Sequence, residues 1–173
     1  MNDCVCGMGE VKKHCEGGNA PDLKQTQYAT CADEVATIPA ANAGTHVVSG
    51  DITFRAADAG TGAEAGALYP WHVSKKDGSF KSTKDENGLW NTEVKYFVPY
   101  LNAAKTYVFS NLAEDNDIHI VNDMNGKRRI VGELDNPAST LTEETTTPKN
   151  GYVITITWQS AKAPLFYEGA VPA

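Results

Sequence analysis

Ten residues from Leu89 to Val98, L-W-N-T-E-V-K-Y-F-V, alternate in polarity and run straight into Pro99, a helix-spaced stretch and a hairpin sequence closed by Asn125-Gly126. That order fixes much of what the chain can become. Trp90, Val94, Tyr96 and Val98 fall on one side of an extended backbone, and Asn91, Glu93 and Lys95 on the other, which is the pattern of a half-buried strand. Pro99 suits the first position of a helix, where the missing N–H has no partner to lose. Leu101, Ala104, Val108 and Leu112 then recur three or four apart, so the spacing predicts one amphipathic helix over Pro99–Leu112, lying on a sheet. Ile118 and Ile120 alternate with His119 and Val121, Asn125-Gly126 supplies a turn with positive φ, and Ile130-Val131 returns along a second strand.

The flanks add further strands. In His46–Arg55, Val48, Ile52 and Phe54 share a face if Gly50 marks a bend. Ala67–Ser74 reads as a strand that Pro70 pushes to an edge, and Ser79–Thr83 follows the Asp77-Gly78 turn. Gly151–Trp158 (G-Y-V-I-T-I-T-W) is β-branched on both faces, as suits a central or partner-covered strand. Two segments read as loops: the small-residue stretch 56–66 and the Thr-, Glu- and Pro-rich stretch 135–150. Residues 1–45 carry few aromatics and no sustained period, so they read as a flexible N-terminal arm. The fold class expected is mainly β, a β-sandwich or partly closed barrel with one flanking α-helix. Its domain spans 46–168 with a C-terminal tail over 169–173, and the apolar end Ala161–Ala173, with Leu165, Phe166, Tyr167 and Val171, packs on its own domain or docks on a neighbour.

With 173 residues the chain holds one domain with a proper core. Its apolar runs fall far short of the roughly 20 residues that cross a bilayer, and Met1-Asn2-Asp3-Cys4 lacks the basic and apolar regions of a secretory signal. A reducing compartment is therefore expected. The net charge of −7 argues against sequence-reading nucleic-acid binding, which relies on phosphate neutralisation. Lys127-Arg128-Arg129 flanks a hairpin turn and reads as solvated charge.

No residue set announces a reaction. The chain has no Gly-x-Ser-x-Gly, phosphate loop, dinucleotide fingerprint or His-Glu-x-x-His. His14, His46, His72 and His119 are scattered; His119 is expected on a solvent or interface side. Glu114-Asp115-Asn116-Asp117 lacks the alternation of a calcium loop and reads as a linker, and Glu143-Glu144 falls in the Thr-rich loop. Cys4, Cys6, Cys15 (or His14) and Cys31 form a conceivable zinc set, but their spacing departs from the usual knuckles, so a free-thiol reading stands beside zinc and a disulfide. Trp71 and Trp90, with Tyr69, Tyr96, Phe97, Tyr100 and Tyr107, offer either a glycan- or peptide-binding platform or ordinary core packing. No catalytic residue, cofactor-binding residue, cofactor or metal is assigned.

The strand Trp90–Val98, the helix Leu101–Leu112, the strand ending Val121-Asn122-Asp123, the turn Asn125-Gly126-Lys127 and the strand Arg129–Gly132 together resemble tail tube proteins of long-tailed bacteriophages. The Thr/Pro-rich loop before Gly151–Trp158 is similar to that group as well, and Cys6-Gly-Met-Gly9 is similar to some of its N-termini. The likeness covers about residues 46–168 and is one of element order, since the family has no invariant catalytic motif. The long arm with its four cysteines departs from the pattern. The resemblance implies a structural virion protein, not an enzyme, with a tail-tube-like fold. Copies would close into homohexameric rings that stack into a tube and meet other tail proteins. Genomic DNA would pass through without specific binding, no membrane would be involved, and assembly would occur in the host cytoplasm. Another virion part (a capsid decoration or neck protein) and a glycan- or peptide-binding sandwich remain the alternatives.

Overall fold

The computed structural model describes residues 22–112 and 115–172. Among the described residues twelve strands and one α-helix follow one another: β1 (Thr26–Cys31), a 3-10 turn (Ala32–Glu34), β2 (Val35–Thr37), β3 (Val47–Val48), β4 (Thr53–Phe54), β5 (Tyr69–His72), β6 (Ser79–Lys84) and β7 (Trp90–Pro99). After α1 (Ala103–Ser110) come β8 (Asp117–Asn122), β9 (Arg128–Val131), β10 (Ser139–Thr145), β11 (Gly151–Ser160) and β12 (Phe166–Tyr167). A four-stranded sheet, order β10-β11-β7-β6, faces a six-stranded sheet, order β3-β12-β9-β8-β1-β5, and a small β2-β4 ribbon lies outside. The fold is a mainly β sandwich with a single flanking helix among the described residues, as the sequence pattern predicts.

Alternation builds two cores. β7 and β11 pair over their full length, and the inward residues Val94, Tyr96, Val98, Tyr152, Ile154, Ile156 and Trp158 meet Val121 and Val131 of the larger sheet. The other face of that larger sheet carries Tyr28, Val48, Ile118, Ile120, Ile130 and Tyr167, closed over by Val35, Ile52 and Leu68. The six-stranded sheet is therefore covered on both sides, which explains why every residue from Asp117 to Val121 is buried. Gly126 adopts φ +78° in the predicted β8–β9 turn, where the Asp123 carboxylate accepts the backbone N–H groups of Asn125 and Lys127.

Several expectations are corrected. The supposed arm 1–45 contributes β1, hydrogen-bonded between β8 and β5, so residues from Thr26 onward belong to the domain. Of the two readings of the tail, packing on its own domain is the one observed: Val171 packs on the outer core, and the Tyr28 hydroxyl donates to the Pro172 carbonyl at 3.0 Å. Pro99 ends β7 opposite Gly151 instead of starting the helix, and Asn102 is the true cap, its side chain accepting from the Lys105 N–H. The expected stripe is rotated. Val108 is exposed, while Phe109 packs on Tyr152 and Trp71, because Thr106 and Phe109 are the residues that meet the sheet. Within 135–150, read as a loop, lies β10, and Asp117, read as linker, opens β8.

Gly132 follows β9 with φ +104°, and a Cβ there would lie 2.7 Å from the Asp117 carbonyl oxygen and 3.2 Å from the Ala138 nitrogen. Those two residues exchange backbone hydrogen bonds that tie the start of β8 to the approach to β10. Gly132→Ala meets backbone that cannot yield and a φ that L-residues avoid, so a loss of about 2–4 kcal/mol is expected in urea unfolding.

Candidate functional site

The exposed borders of the four-stranded sheet are the most distinctive surface of the molecule. Among the described residues β10 pairs only with β11, and β6 only with β7, so each leaves one side of its backbone without a strand partner there. Such borders invite further pairing unless something blunts them. The six-stranded sheet is blunted at both ends, by a two-residue strand at β3 and by Pro70 within β5. The four-stranded sheet is not shortened or kinked in this way. β6 (S-F-K-S-T-K) carries Lys81 and Lys84, whereas β10 (S-T-L-T-E-E-T) carries Glu143 and Glu144 and exposes Leu141 to 61%. The two borders have nearly equal length and opposite charge.

Glu143-Glu144 thus sits on a strand, not a loop. Glu144 points to the face of Tyr152, its register partner: its Oε1 accepts from the Thr106 hydroxyl at 2.7 Å, and that hydroxyl lies 2.8 Å from the Tyr152 hydroxyl. Between the borders, the outer face of the sheet forms a trough of about 870 Å³ lined by polar side chains such as Lys81, Asn91, Glu93, Thr157 and Gln159. Glu93 there is ion-paired with Lys95 at 3.0 Å.

Beneath α1 lies a buried polar group that the sequence reading placed elsewhere. His119, expected on a solvent or interface side, is 1% exposed because the four-stranded sheet covers its face of β8. Its Nε2 is 2.9 Å from the Thr140 hydroxyl, and its ring packs edge-on against Trp71 at 5.6 Å. His119 Nδ1, Asp117 Oδ2, the Tyr96 hydroxyl and Thr142 Oγ1 are all buried without a partner among the described residues. Burial drives the His119 pKa down to about 3 and raises those of Tyr96 and Asp117, with the Thr140 hydroxyl drawing Asp117 the other way.

The signs of these shifts set an acid limit. A histidine with a depressed folded pKa stabilises the fold above pH 6.5, and that contribution drains away as pH falls from 6.5 towards 3. Between pH 7 and pH 4 the loss is about 3 kcal/mol. Asp117 works in the opposite sense, since a raised carboxyl favours the fold once it is protonated, and it offsets part of the loss at the acid end. Chemical denaturation across that pH range is expected to show the fall for the native chain and a shallower one for His119→Gln.

The remaining candidates do not converge. Cys4, Cys6, Cys15, His14 and Glu114 lie outside the described residues. Cys31 ends β1 as a half-buried free thiol whose pKa is raised by burial and by Asp117, Glu34 and Asp33, so it is held as the thiol. His46 and His72 are exposed at separate sites, and among the described residues no three His, Cys, Asp or Glu side chains are placed to hold a metal ion. Trp71 is packed against Tyr96, Phe109 and His119 rather than set out as a platform. The charges of Lys127-Arg128-Arg129 are not all solvated: Arg128 lies 5.5 Å from the centre of the Tyr167 ring, and Arg129 lies between Phe80 and Phe166. No helix of the described residues is long and apolar enough to cross a membrane. No protein-family model, curated protein or solved structure matches the chain.

Proposed function

We propose that this chain is a structural subunit that polymerises through its four-stranded sheet, and specifically the tail tube subunit of a long-tailed bacteriophage. The observation that carries the reading is the pair of borders that no strand among the described residues covers, basic on β6 and acidic on β10. Two basic borders repel one another, as do two acidic ones, so a border of one copy accepts only the opposite border of the next. That contact is heterologous, and heterologous contacts propagate into rings or helical filaments.

Strand direction fits the same scheme. Each neighbouring pair in the sheet is antiparallel, so β10 and β7 run one way and β11 and β6 the other. Copies related by rotation about an axis along the strands then bring β6 antiparallel to the next β10, and the alternation continues around the ring. Closure removes every exposed border of that sheet. Six copies per ring, stacking into a conduit for DNA, come from the resemblance to tail tube proteins, and the net charge of −7 suits a channel that DNA crosses without adhering.

Light scattering behind a sizing column, followed over a rising concentration series, tests the proposal together with negative-stain microscopy. Rings or tubes that dissociate as salt increases are expected. A particle that stays monomeric at every concentration rejects it.

A further inference from the structure

Arg129 is the one guanidinium whose surroundings ask for a ligand. It stands in β9, with its charged group 4.7 Å from the Phe80 ring centre and 4.6 Å from that of Phe166. Two phenyl faces hold the plane of the group and leave its N–H edges to other partners. Among the described residues neither a hydrogen bond nor an ion pair reaches it. The group lines a cavity of about 220 Å³ together with Asp22, Asp123, Lys127 and, from the beginning of the basic border strand, Ser79 and Phe80. Two carboxylates line the same cavity: Asp22 accepts the N–H groups of Leu23, Lys76 and Gly78 on its two oxygens, and Asp123 accepts two backbone N–H groups of its own turn on Oδ1. Burial lowers the Arg129 pKa and the Asp123 charge opposes that in part, so the guanidinium is partly stripped of water with a carboxylate nearby but no direct ion pair among the described residues.

We propose that this pocket receives the carboxylate of Glu144 from a second copy of the chain, seated when that copy's β10 pairs with β6. The inference rests on the edge-to-edge reading above and names the side chains that set its register. Phe80 faces the inner core, and Glu144 shares the face of Tyr152, which is also inward. If Glu144 lies opposite Phe80 in an antiparallel pair, it arrives beside the guanidinium stacked on that ring, since directly opposed side chains stand roughly 5 Å apart. The same register sets Glu143 opposite Lys81 on the outer face. One alignment therefore satisfies two pairs of opposite charge on two faces. A slip of one residue turns Glu144 outward and loses the Arg129 contact. A guanidinium fixed by rings and a carboxylate whose Oε2 has no partner among the described residues are suited to a charge-assisted, two-point contact.

Charge exchange tests it. Arg129→Glu and Glu144→Arg are each expected to leave the purified chain monomeric at concentrations where the native protein forms rings. Mixed in equal amounts they should assemble, because alternating copies restore an Arg–Glu pair at every contact. Near-UV circular dichroism and thermal unfolding establish that each variant is folded. Should Arg129→Glu fail to fold, Glu144→Gln decides the matter: it leaves Tm in place and raises the concentration needed for assembly about tenfold. If the native chain assembles and both Glu144 variants behave like it, the pocket inference is overturned while the edge reading survives. Loss of assembly in Arg129→Met with no effect at Glu144 also overturns it, assigning the pocket to another anion. A native chain that never assembles removes the edge reading, and the inference goes with it.

Discussion

Deleting residues 1–31 is expected to leave a chain with no cooperative unfolding transition. The deletion removes β1, which lies between β8 and β5 and pairs with both. Tyr28 and Ala29 are lost from the two faces of the larger sheet, each under 10% exposed. Gln27, 1% exposed, is lost as well: its amide donates to the carbonyls of Lys24 and Asn122, and its carbonyl accepts from the Asn122 N–H at 2.7 Å. Without β1 the backbone of β8 is orphaned along one side, beside Ile118 and Ile120, which have no exposure in the intact fold. A domain stable by about 5–15 kcal/mol cannot absorb the loss of a central strand and the burial on both its faces. Calorimetry and near-UV circular dichroism read the result. Gln27→Leu isolates one component, leaving the half-buried Asn122 N–H without its acceptor, and is expected to cost about 1–2 kcal/mol.

That segment shows where sequence pattern stops being sufficient. T-Q-Y-A-T-C alternates weakly because its neighbours cover both faces, and a strand covered on two sides keeps no polar stripe to betray it. A buried glutamine that satisfies backbone groups from elsewhere in the chain reads as a surface residue until those groups are placed. β7, β11 and the β8–β9 hairpin were legible for the converse reason: alternation, β-branched runs and Asn125-Gly126 are local signals, and the four strands carry most of the inner core. β10 was hidden by its composition, as threonines and glutamates match an exposed edge strand and a polar loop equally well. The helix was misread by a few residues because Pro99 satisfies both a strand end and a helix start, and only the Asn102 cap discriminates between them. As for the site, the acidic pair at 143–144 and the basic residues at 81 and 84 were visible. Their opposition across one sheet depends on strand order, and strand order is not local information.

Leu141→Lys is expected to abolish assembly while hardly touching the folded monomer. The side chain is already 61% exposed on the outward face of β10, so exchanging it removes little buried area, and Tm should shift by no more than a surface substitution does, about 0.5 kcal/mol in stability. Its effect falls on the border. In the alignment that places Glu143 opposite Lys81, residue 141 faces Thr83 and lies diagonally from Lys81, so a lysine there sets like charges against each other at each contact. The penalty recurs at every joint of a ring, which turns a modest repulsion per contact into a failure to close. Leu141→Thr separates charge from apolar contact, because threonine suits an edge strand and carries no charge. It should assemble near native concentration, whereas the lysine variant should stay monomeric and recover partly at high salt, where exposed charges are screened. Sedimentation and negative-stain images of the three proteins side by side make the comparison. Tubes of native length from Leu141→Lys would exclude β10 from the contact and return the acidic border to solvent.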